Sequence, residues 1–190
     1  MGIDRKKRVL KYLVSSLSFA LIFGFALACV SGKPTEGETP KNTGEQAQET
    51  ELTLGQAVEY EGLRVSVIDY KFTSSYETNW TEGPREAPEG AKYLWVYVKA
   101  QNVGEDKIDL PFDTYFEVMY KAKVLPGELG FGMTIKNEPT YQFDSVYPGY
   151  GSEGWLIYEI YKKAESSNIK IQLSDPRLPS GVEYHWRLKK

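Results

Sequence analysis

From Leu52 onward the chain is written with a period of two. The runs "LRVSVIDYKF" (63–72), "KYLWVYVKAQ" (92–101), "TYFEVMY" (114–120), "GWLIYEIY" (154–161), "NIKIQL" (168–173) and "VEYHWRL" (182–188) are rich in Val, Ile, Tyr, Trp and Phe, residues that suit a pleated, half-buried surface. Successive strand side chains point to opposite faces. Leu94, Val96, Val98 and Ala100 therefore share one face, Ile169, Ile171 and Leu173 another, and Val182, Tyr184 and Trp186 a third. The same parity puts His185 on the solvent side of its strand. Between Val67 and Ile68 the apolar phase slips by one, the mark of a β-bulge or bend. No 11-residue window bears a capped stripe of period 3.6. Turn chemistry separates the runs: "EYEGLR" (59–64) predicts a tight hairpin at Gly62, and "NVGEDK" (102–107), "YPGYGSEG" (147–154) and "DPRLPSG" (175–181) are Gly/Pro/Asx loops. Short strands at close spacing predict an antiparallel β-sandwich or barrel over residues 52–190.

The first 28 residues have a different character. Arg5, Lys6, Lys7, Arg8 and Lys11 precede the uncharged run "YLVSSLSFALIFGFALACV" (12–30), the pattern of a secretory signal with a basic flank. Ala26 and Ala28 are small, as cleavage before Cys29 requires. Three outcomes are open. "ALAC" resembles a lipobox, which would make Cys29 a lipidated N-terminus, although Ala26 stands where an aliphatic residue is preferred. The same cut without lipid would give plain secretion. Without cleavage, Leu13–Val30 could span about 27 Å as a helix at ~1.5 Å per residue. All three place the body outside the cytoplasm.

Residues 29–51 then read as a lipidation site and flexible tether. "SGKPTEGETPKNTGEQAQET" (31–50) has no aromatic residue and cannot bury enough surface to offset its ordering entropy. Twenty such residues have a root-mean-square span of about 25 Å.

The order of elements resembles a known pattern. "LGQAVEYEGLRVSVIDYKF" is an opening hairpin. "AKYLWVYVKAQNVGEDKIDLPFDTYFEV" is a long strand running into an Asn-x-Gly turn and further strands, and "FDSVYPGYGSEGWLIYEI" places a Pro-Gly turn before a strong strand. Together these resemble the immunoglobulin-like, telokin-like domain family of unknown function found in bacterial and archaeal lipoproteins and secreted proteins. The resemblance covers about residues 52–174. It implies an immunoglobulin-like sandwich and an extracytoplasmic setting, and it transfers no catalytic residue. Two segments depart from the pattern: residues 74–91 are long and polar, and the strand after "DPRLPSG" has no evident partner.

Chemistry is scarce. The chain has one cysteine and one histidine, so there is no internal disulfide, and the usual zinc, Ser/His and Cys/His systems are restricted. No GxSxG, HExxH, P-loop or GxGxxG motif occurs, and "GELGFG" (127–132) lacks the Lys-Ser/Thr of a phosphate loop. Glu105, Asp106, Asp109 and Asp113 are the best acidic cluster, but their spacing suits a solvated turn better than a calcium loop. The formal net charge is −3 despite the basic leader, which argues against nucleic acid. An enzyme, a cofactor or a metal is therefore not expected. Aromatic residues are the richer signal. Trp155, Tyr158 and Phe143 read as core, whereas Trp80, Tyr150, Tyr147 and Tyr76 are candidate ligand contacts and Asn79, in "NWT", a candidate glycosylation acceptor. These features suggest a membrane-anchored, noncatalytic module for a protein partner or envelope assembly, with carbohydrate or small-ligand binding through the aromatics as the alternative. The anchor is testable by intact mass of the membrane form. A mature chain starting at Cys29 with added lipid mass is expected; the same start without lipid, or retention of residues 1–28, would overturn lipidation.

Overall fold

The alternation becomes two facing sheets in the computed structural model, which describes residues 48–121, 123–128 and 133–189. Cys29, the leader and most of the expected tether lie outside the described residues. The strands, in chain order, are β1 (Gln48–Leu52), β2 (Ala57–Tyr60), β3 (Leu63–Thr73), β4 (Ser75–Tyr76), β5 (Arg85–Glu86), β6 (Ala91–Asn102), β7 (Ile108–Asp109), β8 (Phe116–Tyr120), β9 (Lys123–Leu125), β10 (Ser145–Val146), β11 (Gly151–Tyr161), β12 (Ile169–Leu173) and β13 (Val182–Arg187). One sheet has the order β11-β6-β3-β2 and the other β1-β13-β12-β8-β9. Among the described strands every pairing is antiparallel except that of β1 with β13, which is parallel. The architecture is an all-β sandwich.

One boundary differs from the sequence expectation. β1 begins at Gln48, inside the segment assigned to the tether. Pairing with β13 orders these polar residues, a long-range contact that local composition does not encode. The same strand, together with β12, supplies the partners that "VEYHWRL" lacked.

Inward-facing residues of both sheets make one core. Val65, Val67, Leu94, Val96, Val98, Leu156, Tyr158 and Ile160 meet Phe116, Val118, Ile169, Ile171, Leu173 and Trp186. The Tyr158 hydroxyl donates to the Phe116 carbonyl at 2.6 Å, a buried bond between the sheets. The expected bulge lies between Val67 and Asp69, where the β3–β6 register shifts. The β2–β3 hairpin closes through Glu61 and Gly62, both at positive φ (45° and 75°), as a two-residue turn matched to strand twist requires.

The four-stranded sheet is apolar on its outer face too. Tyr93, Trp95, Trp155 and Ile157 form a second buried cluster there with Tyr76 and Ile135. The long polar segment is what covers it: β4 and β5 pair with each other, Thr78 bridges Ile135, and Thr140 bridges Trp155. Lys71 secures this cover. Its Nζ lies 4.2 Å from the Trp95 ring centroid and 4.5 Å from that of Trp155, and donates to Glu138 at 2.6 Å. Glu138 also accepts from Trp155 Nε1 at 3.0 Å. Hydrogen bonding from Lys71 holds the Glu138 carboxyl below its ordinary value against the opposing pull of burial.

The "DPRLPSG" loop is fixed by a buried charge. Asp175 accepts from the Tyr60 hydroxyl at 2.9 Å and from Arg177 through Nε, Nη2 and the backbone N–H, while Arg177 Nη1 reaches the Asp109 carbonyl at 2.7 Å. Burial by itself pushes the Asp175 carboxyl up, but Arg177 and Tyr60 outweigh it and hold the carboxyl below its ordinary 3.8. Arg177→Met strips a buried carboxylate of its guanidinium and is expected to cost about 3 kcal/mol at neutral pH, read from the urea midpoint. A depressed folded value means the contribution is whole above pH 3.8 and fades as pH falls through the lower, folded value. Wild type and variant should therefore converge in acid, and a constant gap down to about pH 2 would assign the loss to packing instead.

Candidate functional site

β6 ends on a side chain that gathers three turns. Asn102 is fully buried. Its Nδ2 donates to the carbonyls of Asp106 (2.7 Å) and Val146 (3.0 Å), and its Oδ1 accepts from Gly104 N–H (2.9 Å). Its backbone N–H donates to the Tyr150 carbonyl and its carbonyl accepts from Gly149, both at 2.9 Å. Val103 and Gly104 N–H in turn reach the Gly62 carbonyl, at 2.8 and 3.1 Å. The β6–β7 and β10–β11 connections are thus tied to one amide, and the β2–β3 turn joins them through the backbone N–H groups of Val103 and Gly104. Such an amide presents two donors and an acceptor in one plane, and here each has a partner.

This frame carries the exposed tyrosines. Tyr147, Pro148, Gly149 and Tyr150 form a turn in which Tyr150 N–H donates to the Tyr147 carbonyl at 3.1 Å and Gly149 has φ 83°. Proline followed by glycine at positive φ is the signature of a type II turn. The two tyrosines flank it, 65% and 70% exposed, and Val103 is exposed on the neighbouring turn. Lys107 Nζ lies 5.4 Å from the Tyr147 ring. Glu61, Glu105 and Asp106 are also exposed, so the rim carries more acid than base.

The remaining candidates go elsewhere. Trp80 is 72% exposed, but it rides on the cover of the outer face, where neighbouring Asn79 donates its N–H to the Thr134 carbonyl (3.1 Å) and Nδ2 to Thr134 Oγ1 (2.6 Å). Asn79, the candidate glycosylation acceptor, is exposed, with its amide already engaged. Tyr76 is a correction: it is buried, edge-on to Tyr93 at 4.8 Å and Trp95 at 6.4 Å. Burial pushes its phenol up to about 12. Polar neighbours in the sequence concealed it, because the apolar face it covers belongs to β6. Tyr158 packs in the main core and Phe143 against it, as expected, while Trp155 belongs to the outer cluster.

His185 is the second correction. It does lie on the opposite face from Trp186, but it is only 4% exposed, set between Glu51 of β1 and Gln172 of β12 in the register and paired with Glu183. The expected acidic cluster does not converge. Asp109 accepts from Ser145 Oγ, and Asp113 from the N–H of Thr114 at 2.8 Å. Glu49, Glu183 and His185 converge instead: Glu183 and His185 stand two apart on one face of β13, and the β1–β13 pairing brings Glu49 to them.

No protein-family model and no curated protein sequence matches the chain. Solved structures do. The yjhA protein of Bacillus subtilis is 17% identical, aligned over 72% of this chain and 99% of its own, with a TM-score of 0.53. An uncharacterised β-sandwich protein of Clostridium difficile is 15% identical over 83% of this chain and all of its own, with a TM-score of 0.47. The ycdA protein of Bacillus subtilis, a candidate lipoprotein, is 12% identical over 70% of this chain and 39% of its own, at 0.48. At these identities the likeness is one of fold. Removing the shared amide tests the site's frame. Asn102→Ala leaves two carbonyls and an N–H without that partner and is expected to cost about 3 kcal/mol. Amide hydrogen exchange at Gly104, Gly149 and Tyr150 should speed up before the rest of the sheet; uniform acceleration would deny Asn102 its local role.

Proposed function

We propose that the chain is an extracytoplasmic, membrane-anchored and noncatalytic interaction module of the immunoglobulin-like, telokin-like kind, and that it binds a protein partner or envelope assembly through the Asn102 end. Cys29 holds it to the membrane by a lipid, and the residues between Cys29 and Gln48 give reach. The observation that carries the reading is the pairing of two exposed tyrosines with a turn that is hydrogen-bonded across itself and to the Asn102 backbone. Aromatic side chains with only two side-chain torsions offer large contact area at low entropic cost. Residues that anchor interfaces are enriched in Tyr and Trp for this reason. A rigid turn removes most of the ordering cost that a loose loop would add on binding. The acidic rim favours a partner surface with basic residues, through complementary potentials.

The strand order supports the family assignment, with a long central strand running into the Asn-Val-Gly turn and a Pro-Gly turn ahead of β11. Supporting the noncatalytic reading, every side-chain polar atom of Asn102 is engaged in holding backbone. The test is co-purification from cross-linked membranes. Tyr147→Ala with Tyr150→Ala should leave the urea midpoint within ~0.5 kcal/mol of wild type, as exposed substitutions do, and should remove the partner. Trp80→Ala should leave it bound. Retention by the double variant, or loss with Trp80→Ala alone, would move the site. Retention of envelope polysaccharide by wild type and not by the double variant would assign the same tyrosines to carbohydrate.

A further inference from the structure

The seam between the first strand and the last contains a charge pattern that the interaction reading does not use. In the β1–β13 register Glu49 stands opposite Glu183 and Glu51 opposite His185, with Gln172 of β12 on the other side of His185. Like charges directly opposed on one sheet face destabilise the pairing unless a cation intervenes. Two fixed cations are present. Lys170 Nζ is 3.4 Å from Glu49 and 3.9 Å from Glu51, and Arg187 pairs with Glu51. Hydrogen bonding from Arg187 holds the Glu51 carboxyl below its ordinary value. Three carboxylates thus face two permanent positive charges. Glu183 is the one without either, and its ion-pair partner among the described residues is His185 Nε2 at 3.1 Å.

The imidazole is also set apart. His185 is more than nine-tenths buried, and its Nδ1 has no hydrogen-bond partner among the described residues. The ring nitrogen turned toward Glu183 is the other one, Nε2. One ring nitrogen of His185 and one carboxylate oxygen from each of Glu49 and Glu183 lie within 4.8 Å of one another. We propose that Glu49, Glu183 and His185 form a binding site for a divalent transition-metal ion of the zinc type, which joins β1 to β13.

The donor set selects the ion class. One imidazole and two carboxylates suit zinc, which takes nitrogen and oxygen ligands in fours. Calcium needs six to eight oxygens, more than this seam offers. Three protein ligands leave a position for water or a donor from a partner. Ligand bonds of about 2.0–2.2 Å require the oxygens to draw in. The side chains of Glu49 and Glu183 are 56% and 37% exposed and can do so by rotamer change, while the buried imidazole stays in place. Glu49 would exchange Lys170 for the metal, and Lys170 would keep Glu51. The ion would supply the missing positive charge and fasten the strand that leads from the tether to the last strand of the sandwich.

The test is calorimetric titration of the purified full-length protein, stripped with chelator, with Zn2+ and separately with Ca2+. One Zn2+ per chain with a rise in Tm is expected, and no saturable binding of Ca2+. His185→Gln and Glu183→Gln should each weaken zinc at least tenfold. Should His185→Gln fail to fold by circular dichroism, Glu49→Gln decides, since its exposed side chain can be changed without loss of core. Absence of saturable zinc binding in the wild type overturns the proposal, as does undiminished affinity in Glu49→Gln together with Glu183→Gln.

Discussion

The Asn102 amide does for this sandwich what no apolar contact could. It closes the central strand and satisfies backbone groups of the turn that follows it and of the turn that enters β11. Three connections therefore meet at one end of the sheet with their polar groups paired. A buried amide is stabilising only when its partners are all in place, since each one lost leaves a desolvated donor or acceptor. That condition couples the turns: none can shift without unpairing another. The exposed tyrosines of the "YPGY" turn inherit this rigidity, and the proposed contact surface relies on it.

β6 is the mechanical centre for a second reason. Leu94, Val96, Val98 and Ala100 face the sandwich core while Tyr93 and Trp95 face outward, and both sets are buried. A sheet apolar on both faces needs a cover on each side. The five-stranded sheet supplies one. The long segment after β3, together with residues near Ile135 and Thr140, supplies the other. Lys71 fastens that second cover by lying over two tryptophans while pairing with a carboxylate from it. Cation–π contact and charge pairing act here on the same ammonium group.

Polar residues thus do most of the joining in a fold whose stability comes from apolar burial. Asp175 and Arg177 bind the loop before β13 to Tyr60 and to β7, and charged side chains line the β1–β13 seam. These groups sit at the margins of the sheets, where strands end and backbone groups would otherwise go unpaired. They set which turns stand together, and so what surface the molecule offers.

By itself the sequence determined the long strands, the bulge after Val67, the hairpin at Gly62 and the inward set of β6 and β12, because alternation and turn chemistry are local and each residue carries its own part of the signal. It also marked Tyr147 and Tyr150, since a Pro-Gly turn pushes its flanking residues outward whatever lies beneath. Tertiary structure alone decided the rest. Gln48–Leu52 is a strand only because β13 lies beside it, and Tyr76 is buried only because β6 turns an aromatic face outward. His185 follows its strand parity, yet it is buried in a sheet where β1, more than a hundred residues earlier in the chain, lies beside it. Parity says which face a residue takes; what covers that face depends on long-range pairing, and no local pattern records it.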